Sequence, residues 1–133
     1  MSATNINASI MRDHYLVHIQ AGKHAIIADE PVEVGGADQG PDPYQLLASA
    51  LGACTCATVR MYADRKGIAL DGLKVDITLT RDLEKNTTNI HRDITLMGSL
   101  GSDDRDKLLD IANKCPIHKI LTNPINIETV LLT

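Results

Sequence analysis

Residues 42–66 read DPYQLLASALGACTCATVRMYADRK, and this stretch decides the fold. Asp42 suits the cap of a helix, Pro43 fits the first helical position, and Gln45 lies where a capping box places its second partner. No charged residue occurs between Gln45 and Val59, and most side chains there are small or apolar. The stretch therefore predicts a long helix that is buried on every side.

The same helix does not have the composition expected of a membrane span. Its charge-free run is shorter than the roughly 20 apolar residues that cross a bilayer. It also contains Gln, Ser and Thr, and charge returns at Arg60. We therefore predict a core helix and no membrane partner.

The flanking segments alternate between apolar and polar residues, as strands do. Strands are predicted at residues 6–11, 15–19, 24–29, 73–80, 90–100 and 125–132. A second helix is predicted to begin with a cap at Ser102 and to stop at Cys115, because Pro116 cannot continue it. Gly and Pro residues between positions 31 and 43 predict an ordered loop before the central helix. The order of elements indicates an α+β fold in which an antiparallel sheet wraps the central helix.

Composition restricts the class of protein. The chain has 133 residues, a formal net charge of −4 and no Phe or Trp, so a single domain spanning residues 1–133 with an aliphatic core is expected. This net negative charge argues against a nucleic-acid partner. The first residues lack the features of a signal peptide, and three cysteines do not form a secreted disulfide framework. We therefore expect a cytoplasmic location.

Three cysteines are the candidates for chemistry. Cys54 and Cys56 point to different faces of the helix, so they cannot easily bridge each other. Cys115, at the end of the second helix, is placed where a disulfide with a helical thiol is geometrically possible. Two other interpretations remain open: three inert buried thiols, or a zinc site formed by these cysteines and His118.

The chain resembles the OsmC/Ohr superfamily of thiol-dependent hydroperoxide reductases over nearly its whole length, and most closely its OsmC-like branch. Each motif is weak alone. Their order is specific, together with a Cys-Pro pair about sixty residues after the first cysteine. The residues that carry the resemblance are Gly35-Gly36, the run from Gly40 to Leu47, Ala50 to Thr55, Arg60 to Gly67, and Cys115-Pro116.

The resemblance implies an intertwined homodimer and a two-step thiol peroxidase that uses no cofactor and no metal. Cys54 matches the peroxidatic cysteine and Cys115 the resolving one, whereas Cys56 matches no catalytic position. Cys54 would attack an organic hydroperoxide and become a sulfenic acid, which Cys115 would convert into a disulfide. An external dithiol, of the lipoyl or thioredoxin-like kind, would then reduce that disulfide.

Two further residues follow from the resemblance. Arg12 falls where the family places the arginine that holds the thiolate, and burial of Cys54 makes such a cation necessary. Tyr44 stands where the family has the glutamate that pairs with this arginine. The alternative is a non-enzymatic member of the family, which senses redox state with the same thiol pair or binds an apolar ligand.

Overall fold

A computed structural model describes residues 2–133, which form a mixed α+β structure with antiparallel sheets. The elements in chain order are β1 (Ile6–Ser9), β2 (Val17–Ala21), β3 (His24–Ala28), a 3-10 turn (Val32–Val34), α1 (Pro43–Lys66), β4 (Gly72–Asp82), β5 (Thr87–Met97), α2 (Ser102–Ala112) and α3 (Pro116–Thr122). The chain divides into two compact units, residues 1–47 and 48–133, and α1 runs from the first into the second. The single domain expected from the sequence stays a prediction.

The first unit is built on a three-stranded antiparallel meander of order β1-β2-β3. In its register Ile6 faces Ala21 and Val17 faces Ala28. The predicted strands exist here: β1 and β3 begin as predicted, and the other boundaries move by one or two residues. Arg12 lies in the bend between β1 and β2, as the polar break in the sequence predicts.

Asp29, directly after β3, holds the loops of the first unit together. Its side chain is 2 % exposed, and its carboxylate accepts four backbone N–H groups, from Tyr15, Glu30, Ala37 and Gln39, at 2.7–3.3 Å. The hydrogen bond from Gln39 is the largest influence on the pKa of Asp29; together with the other three it outweighs burial and lowers that pKa below 3.8. One carboxylate thus orders both the arginine-bearing bend and the loop before α1.

Two glycines of that loop are required by close backbone approach. A Cβ on Gly36 would overlap the carbonyl of Glu30, and one on Gly40 would lie 2.9 Å from the carbonyl oxygen of Ile27. A side chain at either position therefore cannot be accommodated without moving the backbone. This accounts physically for the breaker-rich sequence that precedes α1.

The start of α1 confirms the predicted capping box. The Asp42 carboxylate accepts the Gln45 N–H at 2.8 Å, and the Gln45 side chain accepts the Asp42 N–H at 2.9 Å. Such a reciprocal pair satisfies two backbone donors that have no partner within the helix. Asp42, Pro43 and Gln45 therefore predicted the start of α1 correctly.

Burial along α1 is confined to one stripe in the single chain. The buried residues recur every four positions: Leu51, Thr55, Val59 and Ala63. Cys54 and Cys56 are half-buried, whereas Met61 remains 65 % exposed. The prediction of a helix buried on every side is thus met on one side only, because the core of the second unit packs against a single face.

The core of the second unit lies between the later half of α1, α2 and the β4–β5 hairpin. Its buried centre comprises Val59, Ala63, Leu70, Leu108 and Ala112. Side chains from both strands, including Leu73, Ile94 and Leu96, cover this centre. The core is aliphatic, as a chain without Phe and Trp requires.

The C-terminal part differs from the prediction in three ways. The segment predicted as a strand, residues 125–132, has no regular structure, and its apolar side chains are exposed. Residues 116–122, for which no element was predicted, form α3, because Pro116 begins a new helix at its first position. The cap of α2 is Gly101, without a side-chain hydrogen bond, and not Ser102.

Within the described residues, α1 is long and apolar enough to cross a membrane by length and composition. The core helix of a globular protein meets the same criteria, and α1 contributes Val59 and Ala63 to a packed core. Length and composition therefore do not by themselves place α1 in a membrane.

Candidate active site

The second unit brings two of the three cysteines together. Cys115 is fully buried and caps α3, where its sulfur accepts the backbone N–H of His118 at 3.3 Å. The side chain of Cys54, on α1, is one of the groups that lower the pKa of Cys115. Both cysteines are free thiols in this structure. The predicted redox pair of Cys54 and Cys115 stays a prediction.

Cys54 has a different environment from Cys115. It is half-buried, and its sulfur lies 3.8 Å from the Thr58 hydroxyl one helical turn further on. Cys56 is also half-buried, on another face of α1, and takes no part in the hydrogen bonds around Cys115. The more accessible sulfur of the pair is thus that of Cys54.

Thr55 connects α1 to the sulfur of Cys115. Its side chain is fully buried, and its oxygen lies 3.9 Å from the Cys115 sulfur. The hydroxyl donates to the carbonyl of Leu51 at 2.7 Å, and it accepts a hydrogen bond from Arg92 at 2.9 Å. Thr55 therefore lies between a cation and a thiol.

Arg92 organises the polar side of the site. It projects from β5 and donates to three neutral acceptors: the Thr55 hydroxyl, the Asn113 side-chain oxygen at 2.8 Å and Nδ1 of His118 at 2.9 Å. These contacts join β5, α1, the end of α2 and α3. A planar guanidinium can reach several acceptors at once, which an ammonium does less well.

The electrostatics favour an ionised Cys115. Burial raises the pKa of the Cys115 thiol, but the hydrogen bonds from the His118 N–H, Cys54 and Thr55 and the charge of Arg92 together outweigh burial. The pKa of Cys115 consequently lies below the ordinary thiol value of 9.0. The thiolate is the nucleophilic form of cysteine, so this site favours thiol chemistry.

A cavity of about 430 Å³ adjoins this network. Its walls combine five aliphatic and six polar residues: Leu51, Ile90, Ile94, Leu109 and Leu121, with Thr88, His91, Arg92, Asn113, His118 and Thr122. Arg92 and His118 thus belong both to the cavity wall and to the surroundings of Cys115.

Arg12 and Tyr44, the other two residues predicted from resemblance, lie in the first unit. Arg12 is exposed, and within residues 2–133 it has no hydrogen bond or ion pair through its side chain. Tyr44 is 57 % exposed on the first turn of α1. Their roles toward the thiols remain predictions.

The zinc interpretation finds no support in the geometry of the described residues. No group of three or more His, Cys, Asp or Glu side chains there is arranged to hold a metal ion. Nδ1 of His118 lies 2.9 Å from the Arg92 guanidinium. His118 serves the thiol through its backbone instead.

Arg92, Thr55 and Asn113 were not identified from the sequence. A signal for Arg92 was present, because the alternation along β5 places it on the half-buried face with Ile90, Ile94 and Leu96. A cation within an apolar strand face indicates a buried partner. The partners themselves come from 21 to 37 residues away, which the local pattern does not show.

Comparison with known proteins identifies the family of this chain. The family model described as OsmC-like protein matches residues 35–130. The chain therefore belongs to the OsmC-like family. None of the curated proteins matches the sequence.

Solved structures agree with this fold. A putative osmotic stress induced and detoxification response protein from Psychrobacter arcticus superposes with a TM-score of 0.77 at 21 % identity, covering 90 % of this chain and 89 % of the other. An organic hydroperoxide resistance protein OsmC from Legionella pneumophila gives 0.68 at 21 % identity, with 92 % and 90 % covered. The organic hydroperoxide resistance protein OhrB of Bacillus subtilis gives 0.62 at 20 % identity, with 91 % of each chain covered.

Proposed function

We propose that this protein reduces organic hydroperoxides with Cys54 and Cys115 as its redox pair. The observation that carries the proposal is the fully buried Cys115 at the start of α3, whose pKa is lowered by groups that include the Cys54 side chain. Membership of the OsmC-like family and the names of the Legionella and Bacillus proteins support the same substrate class. We also place the protein in defence against oxidative stress, in the cytoplasm.

In the first step the Cys54 thiolate attacks the peroxide. Its sulfur bonds to the outer oxygen of the hydroperoxide, the O–O bond breaks, and the departing alkoxide takes a proton to become an alcohol. Cys54 is then a sulfenic acid. Cys54 is assigned this step because it is half-buried, whereas Cys115 is fully enclosed. Arg12, from the first unit, would hold the thiolate, and Tyr44 would stand in for the carboxylate partner.

In the second step Cys115 resolves the sulfenic acid. The Cys115 sulfur bonds to the Cys54 sulfur, and the hydroxyl group leaves as hydroxide and takes a proton to become water. An external dithiol then reduces the disulfide by two exchange reactions. The apolar residues along α1 support a preference for an apolar hydroperoxide over hydrogen peroxide.

The protein is also proposed to work as a homodimer. Ile127, Leu131 and Leu132, in the C-terminal segment after α3, are 85–90 % exposed in the single chain. Met61 and Leu47 on α1 are exposed as well. An extended apolar segment without a neighbouring strand and a helix with uncovered apolar faces both suit pairing with a second copy.

Turnover measured with cysteine variants tests the proposed reaction. With dithiothreitol present, the wild type should consume cumene hydroperoxide continuously, and Cys54→Ser should abolish consumption. Cys115→Ser, treated with excess peroxide in the absence of dithiothreitol, should accumulate sulfinic acid at Cys54, because no thiol of the protein resolves the sulfenic acid before a second peroxide oxidises it. Cys56→Ser is the matched control and should behave as the wild type does.

Two other outcomes would contradict the proposal. If the thiols oxidise but no turnover occurs with any dithiol, the pair is a redox sensor. If Cys54→Ser consumes peroxide as fast as the wild type, Cys54 is not the attacking residue.

A further inference from the structure

Arg92 occupies an unusual position for a charged residue. It lies on the half-buried face of β5, between Ile90 and Ile94, whereas His91 and Asp93 on the other face are exposed. Long cationic side chains usually extend into water. Placing one on an apolar face costs free energy unless its charge interacts with a partner. The position therefore requires an explanation from its partners.

The partners of Arg92 supply no negative charge. The three acceptors are a hydroxyl, an amide oxygen and an imidazole nitrogen. Among residues 2–133 the ion pairs involve other side chains, and no carboxylate lies within ion-pair distance of Arg92. The nearby group that can become an anion is the sulfur of Cys115, on which the charge of Arg92 acts.

Thr55 links the cation to that sulfur. The Thr55 oxygen accepts from Arg92 at 2.9 Å and lies 3.9 Å from the Cys115 sulfur. When Cys115 is a thiol, the hydroxyl donates to the Leu51 carbonyl, as observed. When Cys115 is a thiolate, the same hydroxyl can turn and donate to sulfur. The hydrogen bond from Arg92 polarises the Thr55 O–H and strengthens this second arrangement.

We propose that Arg92 is a positioning residue of the redox pair, which acts through Thr55 to keep Cys115 as the thiolate that attacks the Cys54 sulfenic acid. This rests on the proposed function. Arg92 acts on the second step: the Cys115 sulfur donates its electron pair to the Cys54 sulfur, the S–O bond breaks, and hydroxide leaves. Arg92 touches neither the peroxide nor Cys54 in this role.

Titration of a single thiol tests the proposal. In Cys54→Ser/Cys56→Ser protein the remaining thiol is Cys115, and its thiolate is followed by ultraviolet absorbance against pH. Arg92→Gln should raise the midpoint by about one pH unit, since a nearby opposite charge shifts a pKa by 1–3 and here acts partly through Thr55. Arg92→Lys should fall between the two. An unchanged midpoint in Arg92→Gln overturns the proposal.

Two matched variants separate positioning from general effects. Arg81→Gln removes the charge of an arginine on the adjacent strand β4, which hydrogen-bonds Thr88 and Asn86, and should leave the midpoint unchanged. Thr55→Val keeps the shape of a fully buried side chain but removes its hydroxyl, and should also raise the midpoint. The double variant Thr55→Val/Arg92→Gln should shift less than the sum of the two single shifts, because the two residues act in series. Additive shifts would contradict the relay.

A kinetic readout distinguishes failure of this proposal from failure of the proposed function. In the protein with all three cysteines, Arg92→Gln should convert the sulfenic acid to disulfide more slowly than the wild type does, so trapping with dimedone should increase. If the wild type forms no sulfenic acid, the proposed function fails while the titration still reports on Arg92. If sulfenic acid forms and resolves equally fast in both proteins, the function stands and the role of Arg92 fails.

Discussion

At the residue scale, two side chains illustrate opposite uses of a buried charge. Asp29 is a carboxylate enclosed by backbone N–H groups, and Arg92 is a cation surrounded by neutral acceptors. Asp29 needs no counter-charge because its four donors stabilise the anion directly. Arg92 has unbalanced charge and is placed next to a thiol that can balance it. The first arrangement stabilises a loop, and we propose that the second prepares Cys115 for its reaction.

The stability of the first unit should depend on the ionisation of Asp29. The pKa of Asp29 in the folded protein is below its unfolded value, so its contribution is fully present above that unfolded value and is lost as pH falls through the folded pKa. Asp29→Asn should therefore lower the melting temperature at pH 7 and flatten its dependence on acid pH. Thermal unfolding followed at pH 3 to 7 checks this.

Asp38→Asn is the control for the Asp29 variant, because Asp38 lies in the same loop with an exposed side chain. Equal melting temperatures for Asp29→Asn and the wild type at pH 7 would contradict the role of Asp29 as the centre of the loop.

Replacement of Tyr44 tests the role that the family resemblance implies for Arg12. A carboxylate at this position would hold the Arg12 guanidinium by a bidentate pair, whereas a tyrosine hydroxyl brings no charge. Tyr44→Glu should raise the rate with an organic hydroperoxide about fivefold, the effect of roughly 1 kcal/mol in the barrier. Stopped-flow measurement of Cys54 oxidation reports this rate.

Tyr44→Gln is the uncharged control and should give no gain. If Tyr44→Glu is no faster than the wild type, another group orients Arg12, and the tyrosine at position 44 does not slow the reaction.

At the scale of elements, the sequence was most informative where local chemistry decides the structure. The capping box of Asp42 and Gln45 and the alternation of β4 are local features, and both were predicted correctly. Pro116 was interpreted as the end of the second helix, but that helix ends earlier, at Ala112, and Pro116 begins α3. Pro at a first helical position is a signal for a helix start, whereas Cys115 is not a usual cap.

The predicted last strand failed for a different reason. The alternation of residues 125–132 is real, but a strand needs a neighbour for its hydrogen bonds, and this segment has none in the single chain. Prediction of the site from sequence was limited in the same way. Cys54 and Cys115 could be proposed from resemblance, whereas the contacts of Arg92 depend on the tertiary structure.

The two helix starts offer a direct comparison of capping. Asp42→Ala removes a side-chain cap and should destabilise the protein by about 1 kcal/mol. Ser102→Ala should be nearly neutral, because the cap of α2 is Gly101 and makes no side-chain hydrogen bond. Urea unfolding of both variants provides the comparison. Equal destabilisation would contradict the assignment of the caps.

At the scale of the whole molecule, the exposed apolar surface is the main indication of a second copy. Only one face of α1 is buried, and the C-terminal segment carries exposed apolar side chains and belongs to no sheet. A homodimer would bury both surfaces. Resemblance to the family and physical reasoning lead to the same proposal.

Sedimentation of a truncated chain tests the dimer. The full chain should sediment as a dimer at micromolar concentration, and removal of residues 124–133 should shift it toward monomer, since the apolar segment is lost. Glu128→Gln, a change of a polar residue within that segment, is the control and should remain dimeric. A monomeric full chain, or a truncated chain that stays fully dimeric, would contradict the proposed arrangement.

The central claim is that Cys54 and Cys115 form one redox pair, and the most direct measurement is the identity of the disulfide. Reduced protein is treated with one equivalent of cumene hydroperoxide, its remaining thiols are alkylated, and its peptides are mapped by mass spectrometry. We predict a bond between Cys54 and Cys115 and an alkylated Cys56. Three alkylated cysteines, or a disulfide that includes Cys56, would contradict it.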